Sequence, residues 1–144
     1  MKSRKGISPI LATLLLIVIA VAAISVTYAW IMTYMGNTTD KAGVTLNIAN
    51  TNFASGTPKN ITIDIINSGT TNAQIASVYV GQGSDSNMTL FTPTFNGAYT
   101  NAVNQNAMTS FNVTITGGWT SATMYYFKVV PTSGNALMFN ERAP

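Results

Sequence analysis

The distribution of apolar and polar positions divides the chain into two regimes. After Lys2, Arg4 and Lys5 no formal charge occurs from Gly6 until Asp40, and Ile7 to Ile24 is almost wholly Ile, Leu, Val and Ala. A helix rises about 1.5 Å per residue and the hydrocarbon core of a bilayer is about 30 Å thick, so roughly 20 such residues cross it. The stretch predicts one long apolar helix over residues 7–39, able to span a membrane with more than a turn to spare. Around Ser25, Thr27, Tyr28, Trp30, Thr33 and Tyr34 it becomes more polar while staying aromatic, which suits a membrane interface or passage from lipid into a protein bundle. Gly36-Asn37-Thr38-Thr39 is expected to end or loosen the helix, with Lys41-Ala42-Gly43 as the hinge.

From Val44 the period changes to two. Val44, Leu46 and Ile48 alternate with Thr45 and Asn47, and Ile61, Ile63 and Ile65 alternate with Thr62 and Asp64, the pattern of half-buried strands. Further strands are expected at about 75–80, 88–91, 111–115, 124–130 and 136–139. Turn-forming clusters separate them at Asn50 to Lys59, Asn67-Ser68-Gly69, Gly81-Gln82-Gly83, Asn96-Gly97, Gly117-Gly118 and Ser133-Gly134-Asn135. Seven short strands with no helical period between them predict an antiparallel sandwich over 44–144. The fold class is therefore α+β: a long N-terminal hydrophobic helix followed by an all-β, immunoglobulin-like sandwich.

Three readings of the apolar stretch lead to different proteins. A secretory signal peptide would be cut near Ala20-Val21-Ala22, which leaves unexplained why the apolar run continues through Trp30 and Met32. A permanent anchor would keep the three N-terminal charges in the cytoplasm. A third helix crosses the membrane temporarily and later packs against copies of itself.

Composition narrows the chemistry. The chain has no Cys and no His, so disulfides and thiolate or imidazole metal sites are excluded. It holds 15 Asn, 11 Ser and 21 Thr against only 8% charged residues, which describes an exterior of uncharged polar groups. The four acids, Asp40, Asp64, Asp85 and Glu141, are dispersed. A serine nucleophile would lack a His base, and Gly81-Gln82-Gly83 reads better as a turn than as a phosphate loop. No enzyme activity and no cofactor is implied.

The basic leader ending Arg4-Lys5-Gly6, followed by Ile7-Ser8-Pro9-Ile10, Ala12-Thr13-Leu14-Leu15-Leu16-Ile17 and Ile19-Ala20-Val21-Ala22-Ala23, resembles the archaeal type IV pilins. The resemblance covers about the first quarter of the chain. It implies a leader over 1–6, cut by a prepilin peptidase between Gly6 and Ile7, and assembly by a membrane platform with its ATPase. Position five of the mature helix would be Leu11 rather than the Glu of the bacterial branch. Removing the leader takes away three of seven basic residues and leaves four against four acids, so the overall charge of +3 is a leader property and not a nucleic-acid surface.

On this reading the chain is the subunit of a helical homopolymer, membrane-inserted before assembly and extracellular afterwards. Its filament core would be Leu11, Leu15, Ile19, Ala23, Val26 and Trp30, and its role most naturally surface adhesion. The alternatives are an archaellin, the motility-filament subunit, and a membrane-anchored surface binding module. Asn-x-Thr sequons at Asn37, Asn60, Asn87 and Asn112 are candidate N-glycosylation sites, with Asn37 weakest because it falls where the helix should be packed. Tyr99, Trp119, Tyr125 and Tyr126 are candidates for an exposed sugar- or surface-binding platform, with core packing as the competing role.

Overall fold

The computed structural model describes Pro9–Pro144, without the side chains of Asn37 and Thr39–Ala42. The predicted leader and its cleavage point at Gly6 and Ile7 lie outside the described residues. The chain divides into two compact units that part between Thr38 and Thr39.

The first unit is carried by helix α1, Pro9–Ala42, whose 34 residues make a rod of about 51 Å. Among the described residues it is helical from Pro9 onward, a residue whose ring presets a helical φ. The expected stop at Gly36–Thr39 is not observed; the helix runs on to Ala42. One glycine costs a helix interior only about 1 kcal/mol relative to alanine, and no proline follows within the helix to enforce an end. Thr38 also donates its hydroxyl to the Tyr34 carbonyl at 2.8 Å.

The second unit has nine strands: β1 (Leu46–Ala54), β2 (Asn60–Asn67), β3 (Ala73–Gln82), β4 (Met88–Phe91), β5 (Thr94–Phe95), β6 (Ala102–Val103), β7 (Met108–Thr114), β8 (Met124–Pro131) and β9 (Leu137–Arg142). All pairings are antiparallel. Sheet 1 has the order β1-β2-β7-β5 and sheet 2 the order β4-β3-β8-β9, with β6 paired to β3. Read as A-B-E-D facing C′-C-F-G, this is the strand order of an immunoglobulin-type sandwich.

Alternation decides which residues fill it. Ile61, Ile63 and Ile65 of β2, Phe111 and Val113 of β7, and Tyr125, Phe127 and Val129 of β8 are fully buried. Two expectations shift by local geometry. Ile48 is 38% exposed although it pairs with core residue Ile65, because β1 is the edge strand of sheet 1; the register slip beside it leaves Ala49 as the unpaired, bulged residue. Val44 precedes β1 yet is buried. The expected Asn50–Lys59 turn is shorter, since β1 continues to Ala54.

Two further features fix the sandwich. At the crossing between the sheets, the Trp119 indole N–H donates to the Ala54 carbonyl at 2.9 Å, and the Thr120 N–H donates to the Tyr125 hydroxyl at 2.9 Å. This is the tyrosine-corner arrangement, in which a Tyr early in strand F ties back to the preceding loop. Phe53 meets both Trp119 and Tyr125, and Lys59 sits over the Trp119 ring. Where the chain enters the sandwich, the Asn67–Thr71 turn grips it: Ser68 donates to the Thr45 carbonyl, and Thr70 and Thr71 both donate to that of Gly43. Buried Asn67 holds the turn by accepting from Gly69 N and donating to the Thr71 and Val103 carbonyls.

Candidate assembly surface

Residues Pro9–Gly36 form a 28-residue span apolar enough to cross a membrane, and none of it is buried. At 1.5 Å per residue it is about 42 Å long, more than the roughly 30 Å of a hydrocarbon core. Consecutive residues Leu14 to Ile19 are all large and 57–70% exposed, so the rod is apolar on every side. A helix apolar all round belongs inside a membrane or inside a protein mass.

The hydroxyls along α1 do not weaken that character. Thr13 donates to the carbonyl of Ile10, Ser25 to Val21, Thr27 to Ala23 and Thr33 to Ala29, all at 2.8–3.0 Å. Each is satisfied within its own helix, which lets it enter an apolar environment without an orphaned donor. The polar shift read from Ser25, Thr27 and Thr33 is thus internal to the backbone. Trp30 and Tyr34 stack at 5.7 Å and 15°, extending the surface with flat aromatic area.

Leu11, Leu15, Ile19, Ala23, Val26 and Trp30 are all exposed on α1. At about 100° per residue they fall within roughly 120° of arc, a single stripe. A depression of about 380 Å³ lies on the same helix, lined by Ala23, Ile24, Thr27, Tyr28 and Ile31. The small side chain of Ala23 opens it between larger neighbours, the shape that admits a side chain of a facing helix.

The proposed modification sites are unequal. Asn87 is exposed in the turn before β4. Asn60 is half-buried at the start of β2. Asn112 is half-buried on β7, with its amide engaged in both directions: its Nδ2 donates to Asn96 Oδ1 at 2.8 Å, and its Oδ1 accepts from Thr62 and Asn96. Asn37 lies within α1, and its side chain lies outside the described set.

The aromatic platform does not form. Trp119 and Tyr125 are core residues, 7% and 0% exposed, drawn inward by the contacts of the tyrosine corner. Tyr99 lies between β5 and β6, and Tyr126 is on the outer face of sheet 2. Asp64, Asp85 and Glu141 occupy β2, the β3–β4 turn and β9, and Gly81 and Gln82 belong to β3 rather than to a loop.

The chain thus belongs structurally to the proteins that join an apolar N-terminal helix to an immunoglobulin-type sandwich. No known protein family and no curated protein matches the sequence. Among solved structures it is similar to the archaeal flagellum of Methanospirillum hungatei strain JF1, with 13% identity and a TM-score of 0.58 over 95% of this chain and 94% of that one. It is also similar to the archaellum periplasmic stator protein FlaG from Sulfolobus acidocaldarius, with 13% identity and a TM-score of 0.56 over 68% of this chain and 99% of that one. At these identities the likeness is one of fold.

Proposed function

We propose that the chain is a non-enzymatic structural subunit of an archaeal surface filament, held in the membrane by α1 before assembly and polymerised through α1 afterwards. The observation that carries the reading is the fully exposed apolar span Pro9–Gly36 joined to a sandwich whose core is already closed. Such a rod needs a cover, and packing rods together with the sandwiches outside provides one. A head-to-tail contact that does not close yields a filament. A leader peptidase acting at Gly6 and Ile7 and a membrane assembly platform with its ATPase are the partners this role requires.

Within that reading the archaellin moves ahead of the adhesion pilin. The filament neighbour matched over 95% of this chain, helix and sandwich together, is an archaeal flagellum, whereas the pilin reading rests on the Ile7-Ser8-Pro9 leader pattern. The FlaG likeness favours a second reading, an anchored surface domain that stays in the membrane. Shearing the cell surface separates them: a filament subunit is recovered as visible filaments whose chain starts at Ile7, whereas an anchored protein stays with the membrane. Deletion then ranks the filament types, since loss of swimming with attachment intact marks an archaellin and the converse a pilin.

A further inference from the structure

The two outer faces of the sandwich differ in a complementary way. On sheet 2, the residues directed away from the core stand in two register rows, Leu90–Tyr79–Lys128–Met138 and Met88–Gly81–Tyr126–Asn140. Leu90 and Met138 are 60% and 59% exposed, the two tyrosines are half-buried, and Lys128 is the one charge among these eight positions. On sheet 1, Asp64 lies opposite Asn50 and Ser110, and Ile66 pairs with Met108 two residues further along. Ile66 and Met108 are 37% and 43% exposed. The rest of that face is an uncharged ladder in which Thr62, Asn112, Asn96 and Ser110 hydrogen-bond to one another, and Asn50 donates to the Asp64 carboxylate at 3.3 Å. Each face therefore carries exposed apolar side chains beside a charge near its centre, Lys128 on sheet 2 and Asp64 on sheet 1, and these two are opposite; sheet 2 adds Arg142, paired with Met124 at the end of β9, and Asp85 at its margin.

We infer that the outer face of sheet 2 docks on the outer face of sheet 1 of a second copy, with Lys128 of one chain meeting Asp64 of the next. The Leu90 and Met138 ridge then covers Ile66 and Met108. Because the two patches are different surfaces, the contact is heterologous and repeats without closing. A twofold pairing of sheet 2 with itself would set Lys128 against Lys128, and like charges across an interface cost several kcal/mol. The two rows span four strands, on the order of 300 Å², which is below the roughly 800 Å² per partner of a free-standing complex. The contact thus rests on the filament reading, since polymerisation through α1 supplies the local concentration it needs. Asp85 is the competing acid: with Met88, Tyr126 and Met138 it lines a hollow of about 230 Å³ at the margin of the same face.

Zero-length carbodiimide cross-linking tests this on sheared filaments and on whole membranes in parallel. Asp64 and Lys128 lie on opposite outer faces of two sheets about 10 Å apart, so an amide between them joins two copies. The expected result is a ladder of multimers containing the Asp64–Lys128 linked peptide. Either K128D or D64K alone should reduce that ladder at least about tenfold, and the double exchange should restore it. Links from Lys128 to Asp85, a ladder indifferent to both single reversals, or filaments lacking the 64–128 link would overturn the inference. Membranes that give the 64–128 link while no filament forms would instead overturn the filament reading and uphold the contact.

Discussion

If the chain polymerises through α1 as proposed, dilution should leave the polymer intact and detergent should take it apart, and the magnitude follows from α1. Seventeen large apolar or aromatic residues between Ile10 and Met35 are 42–71% exposed in the single chain. Full burial of such a side chain is worth about 1.5–3 kcal/mol, so covering the exposed share gains about 1–2 kcal/mol each and on the order of 25 kcal/mol for the helix. Association and side-chain ordering oppose this by about 4–15 kcal/mol. About 15 kcal/mol remains, equivalent to dissociation in the range of 10 pM. A micelle removes most of that term, because its interior is as apolar as leucine and only helix-to-helix packing still favours the polymer. Sheared filaments diluted to about 1 nM in buffer should therefore still sediment fully, and the same sample in mild detergent should release single chains with folded sandwiches. Monomer released by dilution alone, or filaments indifferent to detergent, would refute the assignment of α1 as the cohesive element.

Three further outcomes probe the sandwich and its surface. Gly69→Ala would place a Cβ against the Gly43 carbonyl and 2.6 Å from Thr45 N, so a loss of about 3 kcal/mol or more is expected, with a Tm fall above about 10 °C; Gly56→Ala, with nothing within 4 Å, is the control that should melt unchanged. Trp119→Ala removes a buried indole and its hydrogen bond to the Ala54 carbonyl, which should cost about 3–5 kcal/mol by denaturant unfolding; a loss below about 1 kcal/mol would show that the ring does not support the core. If the protein is glycosylated, intact mass should fall by one glycan in Asn87→Gln and stay unchanged, apart from the substitution, in Asn112→Gln, because the Asn112 amide is already committed to Asn96 and Thr62. The reverse pattern would show that modification precedes formation of that ladder.

The strands that could be read from the sequence are those whose alternation is strict. Ile61-Thr62-Ile63-Asp64-Ile65 and Tyr125 to Val129 send every second residue to one face, and the sandwich places each of them as that period requires. Strands β5 and β6 have two residues each, too few for any period, and they exist through pairing with β7 and β3. The helix runs past its expected end to Ala42, because a glycine and two threonines mark a stop only when nothing further supports the helix. The aromatic residues show the same limit: nothing in the sequence distinguishes Trp119, 7% exposed, from Tyr99, 40% exposed, because Trp119 is held inward by Phe53 and Ala54, more than 60 positions away. The opposed faces bearing Asp64 and Lys128 are likewise invisible until strand order puts β2 and β8 in different sheets.

The grip of the Asn67–Thr71 turn on Gly43 to Thr45 also has a mechanical side. Any pull on the sandwich through the helical rod enters at Gly43, the first residue after α1. There it meets three backbone bonds from Ser68, Thr70 and Thr71, the buried side chains of Val44 and Leu46, and then the eight paired positions of β1 on β2. Tension directed along β1 strains these bonds side by side, whereas tension directed across it opens them in succession. With no disulfide available in a chain without cysteine, the short turn after β2 becomes the rivet that sets how much tension the sandwich withstands before its edge strand tears away.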